Sequence, residues 1–196
     1  QKILEEAPST VLDHQSRQDI GEICSNAIAN LKYSGAGTIE FLYEKNKFYF
    51  IEMNTRIQVE HPITEQVYRV DLVKEQIKVA LGLGLSLKQE DIKSFGHSIV
   101  CRINAEKIPE FSASPGLIKA YHAPGGLGIR VDSAIYSGYK VPPYYGSLIC
   151  KLIVHGETRN EAIAKLQRAL KELIVDGIDT TADLFGQIIK DEDFIK

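Results

Sequence analysis

One segment, from Phe50 to Glu65, constrains this chain more than any other part of its sequence. It reads Phe-Ile-Glu-Met-Asn-Thr-Arg-Ile-Gln-Val-Glu-His-Pro-Ile-Thr-Glu. Its first part alternates apolar and polar residues, which is typical of a half-buried β-strand. Glu52 and Asn54 are two positions apart and therefore share one face of that strand. The mixture of acids, amides and a guanidinium favours a site that holds a divalent cation at one end and a small anion at the other.

A second strand, at residues 37–44, supplies another potential ligand. This strand and residues 48–54 are rich in β-branched and aromatic residues, and the polar residues 45–47 indicate a hairpin with a three-residue loop. In that register Glu40 lies opposite Glu52, whereas a two-residue loop would place them on opposite faces. Two carboxylates and an amide carbonyl then converge, and a hard cation such as Mg²⁺ would relieve the repulsion between the acids. The alternative is a half-exposed hairpin whose acids are only solvated.

Composition indicates an ordinary globular protein. The chain has 196 residues, of which 44% are hydrophobic and 25% charged. A net charge of −3 gives no reason to expect nucleic-acid or membrane-surface binding, and no apolar run approaches the roughly 20 residues that a membrane span needs. Cys24, Cys101 and Cys150 are widely separated, which favours buried, reduced thiols in a cytoplasmic protein.

Periodicity divides the chain into regions of different structure. Helical patterns of apolar residues occur over residues 17–32, 70–81 and 158–173, and a further helix is predicted over 180–189, capped by Thr180 or Thr181. Short strands and Pro/Gly turns alternate over residues 97–155, as in a compact β-rich unit. A polar stretch at residues 89–96 is a candidate domain boundary. We therefore predict an α/β (α+β) chain in two domains, residues 1–85 and 86–196.

The segment from Phe50 to Glu65 resembles the active-site segment of biotin carboxylase, the ATP-grasp component of biotin-dependent carboxylases. Further segments resemble that family and follow in family order: Gly35–Phe41, Val70–Gln76, Gly96–Glu106, Ser114–Gly116, His122–Gly126, Gly138–Tyr145 and Asp176–Thr180. The resemblance implies that residues 1–85 are the rear half of an ATP-grasp domain with an antiparallel sheet. Residues 86–196 then form the β-rich biotin carboxylase C-terminal domain. It also implies a C-terminal fragment that is inactive alone, because the family's phosphate-binding lysines and ATP lid precede this segment.

The resemblance further implies a reaction and its participants. The complete enzyme is expected to carboxylate biotin with bicarbonate and ATP, through carboxyphosphate, as part of an acetyl-CoA, pyruvate or other acyl-CoA carboxylase. ATP and Mg²⁺ (or Mn²⁺) are the expected cofactors, and biotin is a substrate carried on a carrier protein. The expected partners are the biotin carboxyl carrier protein or domain, a carboxyltransferase and a second copy in a homodimer, with no nucleic acid and no membrane. The expected location is the cytoplasm.

Roles for individual residues come from the same resemblance. The family's metal ligands are matched by Glu40, Glu52 and Asn54, and its nucleotide-binding positions by Glu40, Leu42, Ile51 and Glu52. Its catalytic positions are matched by Lys2, Arg56, Glu60 and Arg102, and its bicarbonate- or biotin-binding positions by Lys2, Arg56, Gln58, Val59 and Arg102. Arg56 would grip bicarbonate through a planar guanidinium. Glu60 matches the general base, and Arg102 matches the arginine that steadies the enolate-like oxygen of the biotin ureido ring.

Simpler interpretations remain open. Arg56 could form a salt bridge with Glu60 or Glu65, and Arg102 could form a plain ion pair with a neighbouring acid. Two other function classes are also compatible with the residues: an ATP-grasp ligase of the carbamoyl-phosphate synthase type, or a non-catalytic dimerisation module. The chain departs from the family at Gly146, where the family usually has aspartate, and this removes one negative charge.

Overall fold

The computed structural model describes residues 2–195. The chain forms two compact units, which we call the hairpin unit (residues 9–94) and the sheet unit (residues 2–8 and 95–195). The helices are α1 His14–Asn30, α2 His61–Tyr68, α3 Leu72–Ala80, α4 Arg159–Glu172, α5 Ala182–Ile188 and α6 Glu192–Ile195, with a 3₁₀ turn at Gln89–Asp91. The strands are β1 Leu4–Ala7, β2 Thr38–Glu44, β3 Lys47–Asn54, β4 His97–Asn104, β5 Glu106–Lys107, β6 Ser112–Ala113, β7 Gly116–Leu117, β8 Ala120–His122, β9 Ile129–Ser133, β10 Lys140–Val141, β11 Leu148–Gly156 and β12 Ile174–Asp176.

The hairpin unit consists of the β2–β3 hairpin and helices α1 to α3. Asp13 begins α1 by accepting a hydrogen bond from the backbone of Ser16, and Asp71 begins α3 in the same way. Helix α2 follows β3 after a short turn and has Pro62 in its first turn. Proline is tolerated there because the backbone N–H groups of the first turn have no acceptor within the helix. No helix was predicted over these residues from the sequence. The proline was the signal that a helix begins there.

The sheet unit is built on a four-stranded antiparallel sheet in the order β1-β4-β11-β9. Its apolar face packs on α4, and the core between them contains Ile99, Cys101, Leu152 and Leu166 with other fully buried side chains. Thr158 caps α4 by accepting a hydrogen bond from the backbone of Glu161. Burial of this amphipathic helix against the central strands fixes β4 and β11 in place.

The predicted mixed α/β architecture with antiparallel sheets is confirmed. The helices predicted over residues 158–173 and 180–189 correspond to α4 and α5. Thr181 precedes α5 but does not cap it with its side chain, which instead accepts from the backbone of Asn104 and donates to the carbonyl of Arg102. Cys101 and Cys150 are buried free thiols, and burial raises the pKa of Cys150 to about 12.

Strand β1 differs from the predicted domain limits. The limits at residues 1–85 and 86–196 stay a prediction, but Leu4–Ala7 lies in the sheet unit because its backbone pairs with β4, Leu4 opposite Cys101. Glu6 reinforces the pairing by contacting His97 Nε2 at 2.7 Å and Arg159 Nε at 2.8 Å. Burial acts to raise the pKa of Glu6, but the hydrogen bonds from His97 and Arg159 outweigh it, so this pKa is lowered.

Glu75 ties helix α3 to the chain that follows it. Its carboxylate accepts hydrogen bonds from Ser86 Oγ at 2.5 Å, the Ser86 backbone at 3.0 Å and Lys78 Nζ at 2.9 Å. These bonds, chiefly those from Ser86, lower the pKa of Glu75 from 4.5 to about 2. Because the folded-state pKa is depressed, the charged form stabilises the fold above about pH 4.5, and this contribution is lost as the pH falls toward 2.

We therefore expect Glu75→Gln to lower the thermal unfolding midpoint by several degrees at pH 7, and by much less near pH 2.5. Circular dichroism melts of both proteins at the two pH values measure the difference. The matched control is Glu90→Gln, because Glu90 forms only an exposed ion pair with Lys88 at 3.7 Å. An equal loss for Glu75→Gln at both pH values would show that the charge of Glu75 does not stabilise the fold.

Candidate functional site

The β2–β3 hairpin brings Glu40 and Glu52 together by a route that the sequence analysis did not predict. Its turn contains two residues, Lys45 and Asn46, both in the left-handed region at φ 49° and 60°. Such a turn alone would put the glutamates on opposite faces. A β-bulge between the Phe41–Phe50 and Glu40–Glu52 pairs inserts one extra residue, so Glu40 does lie opposite Glu52. The predicted three-residue loop is wrong, and the predicted pairing of the glutamates is confirmed.

Asn54 lies at the centre of a polar cluster on the hairpin. Its Nδ2 donates to Glu40 Oε1 and to Glu52 Oε1, each at 3.0 Å. Gln58 adds a hydrogen bond from Nε2 to Glu40 Oε1 at 2.6 Å and is buried, with 8% of its surface exposed. Glu40 therefore accepts from both amides and Glu52 accepts from Asn54, and these hydrogen bonds offset the repulsion between the two carboxylates.

Arg56 is held directly beside this cluster. Its guanidinium donates to Asn54 Oδ1 at 3.2 Å and to the carbonyl of Ile57 at 3.1 Å, and it remains exposed. The guanidinium of Arg56 is thus bound to an amide and a backbone carbonyl of its own segment. An exposed guanidinium next to two carboxylates and an amide is placed to receive an anion from solvent.

Glu60 lies at the start of helix α2, two positions after Gln58. It occupies the N-cap position, but its side chain makes no capping hydrogen bond. The neighbouring His61 instead secures the turn, with its Nδ1 at 2.8 Å from the Gln58 carbonyl. Glu60 and Val59 are half-buried. The local backbone that carries Glu60 is therefore ordered by other groups, and its carboxylate is not needed to begin the helix.

The donor set on the hairpin fits a hard divalent cation. Carboxylate and amide oxygens are ligands that Mg²⁺ accepts, and Asn54 contacts both carboxylates directly. Along residues 2–195, no three His, Cys, Asp or Glu side chains gather as a metal site. A cation at Glu40 and Glu52 would therefore depend on an amide ligand and on oxygen atoms from outside the chain. That is the usual situation for Mg²⁺ bound with a phosphate substrate.

The two apolar positions that match nucleotide-binding positions of the family are accessible. Leu42 is 64% exposed and Ile51 is 49% exposed on the hairpin. Leu42 is two positions from Glu40, so both lie on the same face of β2. The other face of the hairpin carries an aromatic cluster, in which Phe41 packs edge-on against Phe48 and Phe50.

Arg102 and Lys2 belong to the sheet unit, where β1 pairs with β4. Arg102 Nη2 forms a hydrogen-bonded ion pair with Glu5 Oε1, and only 16% and 15% of the two side chains are exposed. The backbone of Arg102 donates to the carbonyl of Ile3 at 2.8 Å, and Ile3 directly follows the exposed Lys2. The ion pair that the sequence left open as an alternative for Arg102 is therefore present. Its partner was not predicted, because the pair joins residues 97 positions apart.

Gly146 lies in an exposed turn before β11. A Cβ atom built on this residue would meet no other atom within 4 Å, and its φ is not in the left-handed region. The backbone would therefore accept the aspartate that the family usually has there. The departure changes local charge without changing the local fold.

Two family models match the chain. Residues 1–88 match the carbamoyl-phosphate synthase L chain ATP binding domain, and residues 100–196 match the biotin carboxylase C-terminal domain. Over its whole length the chain is 56% identical to the biotin carboxylase of Haemophilus influenzae and 54% identical to biotin carboxylase 1 of Bacillus subtilis. It belongs to the biotin carboxylase family. The match at residues 100–196 decides against the carbamoyl-phosphate synthase class, because the ATP-binding model alone leaves both classes open.

Solved structures of biotin carboxylases have the same fold. The Campylobacter jejuni biotin carboxylase, solved as a β-γ-ATP complex, has a TM-score of 0.96 and 48% identity, and the match covers 100% of this chain and 44% of that one. The biotin carboxylase domain of Hydrogenobacter thermophilus 2-oxoglutarate carboxylase has a TM-score of 0.97 and 46% identity, covering 99% and 43%. That domain is a dimer in complex with MgADP, ADP and bicarbonate.

The chain spans 44% of the length of the two biotin carboxylases to which it was compared by sequence. Among the residues that the structure describes, no helix has the length and apolarity that crossing a membrane requires.

Sequence reasoning missed three charged residues near Arg102, namely Glu5, Asp132 and Lys151. Strand alternation would have placed each on a face, but which strands are neighbours was not readable from the sequence.

Proposed function

We propose that this chain is the metal- and bicarbonate-binding part of a biotin carboxylase, joined to its C-terminal domain. The complete protein would carboxylate biotin with bicarbonate and ATP. The observation that carries the proposal is the convergence of Glu40, Glu52 and Asn54 on one hairpin, followed at once by Arg56, in a member of this family. The MgADP and bicarbonate bound in the Hydrogenobacter relative support the same ligands here.

The first chemical task is to prepare bicarbonate as a nucleophile. Arg56 would hold the anion through two parallel N–H groups, with Gln58 and the Val59 backbone completing its hydrogen bonds. Glu60 would take the proton of bicarbonate, whose oxygen then attacks the terminal phosphorus of ATP. The bond to ADP breaks as the new O–P bond forms, so the products are ADP and carboxyphosphate. Lys2 would add a further positive charge for the bicarbonate, as the resemblance to the family implies.

Glu40, Glu52 and Asn54 would hold the magnesium ion that accompanies ATP. Bound there, the metal would neutralise charge on the phosphate oxygens. The two glutamates, with Leu42 and Ile51, would also contact the nucleotide. The amide of Asn54 lies between the two carboxylates, and its oxygen would complete the ligand set of these residues.

The second task is to transfer the carboxyl group to biotin. The ureido nitrogen of biotin would attack the carboxyl carbon of carboxyphosphate as the C–O bond to phosphate breaks, and the departing phosphate would take the proton from that nitrogen. Negative charge would develop on the ureido oxygen as the proton leaves. Arg102 would stabilise that oxygen by a fixed positive charge. A guanidinium has five N–H groups, so Arg102 can bond both Glu5 and a bound oxygen atom.

The partners follow from this chemistry. Biotin would arrive on a carrier protein or domain and pass its carboxyl group to a carboxyltransferase, within an acetyl-CoA, pyruvate or other acyl-CoA carboxylase. The dimer described for the Hydrogenobacter domain favours a homodimer here as well. A cytoplasmic location stays a prediction. A purely non-catalytic dimerisation module is the second candidate, and it predicts no turnover by any protein that contains this chain.

Assay of ATP hydrolysis separates the two candidates. We expect the complete enzyme to release ADP in a manner that depends on bicarbonate and is stimulated by free biotin. The isolated chain should turn nothing over and bind MgATP more weakly than micromolar, because two carboxylates and an amide leave most of the magnesium shell to other ligands. Calorimetry and a coupled ADP assay measure both properties. A complete enzyme without bicarbonate-dependent turnover would contradict the proposed function.

A further inference from the structure

The four-stranded sheet has a charged face on the side opposite the apolar core. Because side chains alternate along a strand, Arg102 on β4 shares a face with Val100, whereas Cys101 and Ile103 belong to the core. On this face Arg102 lies directly opposite Lys151 on β11, and Lys151 lies directly opposite Asp132 on β9. One row therefore crosses the three strands as arginine, lysine and aspartate.

Two further charged residues flank this row. Glu5 on β1 lies opposite Val100, and Arg130 on β9 lies opposite Ile153, which is itself paired with Val100. Val100 and Ile153 are fully buried and lie between Glu5 and Arg130, in the row next to that of Arg102, Lys151 and Asp132. We call Glu5, Arg102, Lys151, Asp132 and Arg130 the charged face.

The two adjacent cations, Arg102 and Lys151, each pair with an acid on the neighbouring strand that does not carry the other cation. Arg102 pairs with Glu5, and Lys151 Nζ lies 3.3 Å from Asp132 Oδ2. Asp132 also accepts from Arg130 Nε at 2.7 Å. Burial acts to raise the pKa of Asp132, but Arg130 and then Lys151 outweigh it, so this pKa is lowered and the acid stays charged.

The order arginine, lysine, aspartate destabilises the fold, because it places two cations directly opposite each other. Directly opposed residues of an antiparallel pair have Cα atoms about 4.5–5.5 Å apart, and like charges in such positions are destabilising. Exchanging Lys151 and Asp132 would give an alternating row with no like-charged neighbours. Instead the two cations are adjacent and largely buried, with 16% and 14% of their side chains exposed. The charged face holds three cations and two carboxylates, so it carries a net positive charge suited to an anion.

We propose that Lys151 is a positioning residue for the anionic oxygen that Arg102 stabilises. It supplies a second positive charge beside Arg102 and so strengthens the binding of negative charge as it develops on the ureido oxygen of biotin. The inference rests on the proposed function of Arg102 and adds to it a residue to which the family resemblance gave no role. Because the charge develops in the transition state, Lys151 acts on kcat and has little effect on the KM for biotin.

Kinetics of the complete enzyme with free biotin test this inference. We expect Lys151→Met to lower kcat for biotin carboxylation about tenfold, with the KM for biotin nearly unchanged and far less effect on bicarbonate-dependent ATP cleavage. Lys151→Arg, which keeps the charge, should restore most of the rate. The matched control is Lys165→Met, because Lys165 is 22% exposed and pairs with Glu161 at 2.8 Å on helix α4, which packs on the apolar face.

Asp132→Asn separates an electrostatic role from a structural one. If Lys151 only supports the sheet through its ion pair, Asp132→Asn and Lys151→Met should cause the same loss. If Lys151 supplies charge to the anion, Asp132→Asn removes a competing carboxylate and should preserve or raise kcat. Circular dichroism confirms that each variant is folded, and should Asp132→Asn unfold, the comparison of Lys151→Met with Lys151→Arg decides instead.

The outcomes distinguish this inference from the proposed function. Biotin carboxylation that falls with Arg102→Ala but not with Lys151→Met would overturn the role of Lys151 alone. An equal loss for Lys151→Met and Lys151→Arg would overturn it as well, because the charge would then be irrelevant. A wild-type complete enzyme that does not carboxylate biotin would overturn the proposed function itself.

Discussion

Replacing Glu60 by glutamine is expected to lower bicarbonate-dependent ATP cleavage by the complete enzyme by about 10²- to 10⁴-fold. This is the range that a positioned general base typically contributes. Glutamine has the size of glutamate but cannot take the bicarbonate proton. The fold should survive the change, because the side chain of Glu60 makes no capping hydrogen bond to helix α2. Steady-state ADP release with and without bicarbonate measures the effect.

The control for Glu60 is a second carboxylate on the same helix. Glu65 accepts a hydrogen bond from the backbone of Leu72 at 3.0 Å, and glutamine at position 65 can still accept that bond. Glu65→Gln should therefore change the rate by much less than Glu60→Gln. If Glu60→Gln kept more than a tenth of the wild-type rate, another group would have to deprotonate bicarbonate.

Replacing Arg102 by alanine should damage biotin carboxylation far more than bicarbonate-dependent ATP cleavage. Loss of one charge contact to a developing oxyanion typically costs about 3 kcal/mol, or roughly a hundredfold in rate. ATP cleavage is expected to fall much less, because Arg102 acts on the biotin oxygen and not on bicarbonate. Carboxybiotin formation and ADP release, measured in the same reaction, give the two rates.

The ion pair with Glu5 makes a control for Arg102 necessary. Arg102→Ala leaves the buried carboxylate of Glu5 without its guanidinium, which destabilises the strand pairing of β1 with β4. Glu5→Gln breaks the same ion pair but keeps Arg102, so carboxylation should be largely retained. Equal loss of both activities in Arg102→Ala, matched by Glu5→Gln, would identify Arg102 as a residue needed for folding only.

The hairpin shows how much of the strand pairing can be predicted from the local sequence pattern. Alternation along residues 37–44 and 48–54 predicted two paired strands with Glu40 opposite Glu52, and the structure confirms it. The reason given was incomplete, because a two-residue turn and a β-bulge together produce the register expected from a three-residue loop. Sequence alternation fixes which residues share a face on each strand. It does not report where one extra residue is inserted between strands.

The charged face shows which contacts the local sequence pattern cannot predict. The apolar surroundings of Arg102 indicated that this cation must be paired or functional, and that much followed from the cost of burying charge. Its partner Glu5 lies on a strand 97 positions away, and its neighbour Lys151 lies on β11. No periodicity in the sequence links these strands to one another. Their order in the sheet is set by which strand edges and apolar faces can be buried together.

The sequence by itself determined helix α4, the pairing of the hairpin acids and the order of polar residues from Glu52 to Glu60, because each depends on spacing within a few residues. Only the tertiary structure decided that β1 joins the sheet unit and that Arg102 adjoins both Glu5 and Lys151. The physical reason is the range of the interactions. Capping and alternation are local, whereas pairing of distant strands is decided by the burial of the whole sheet against α4.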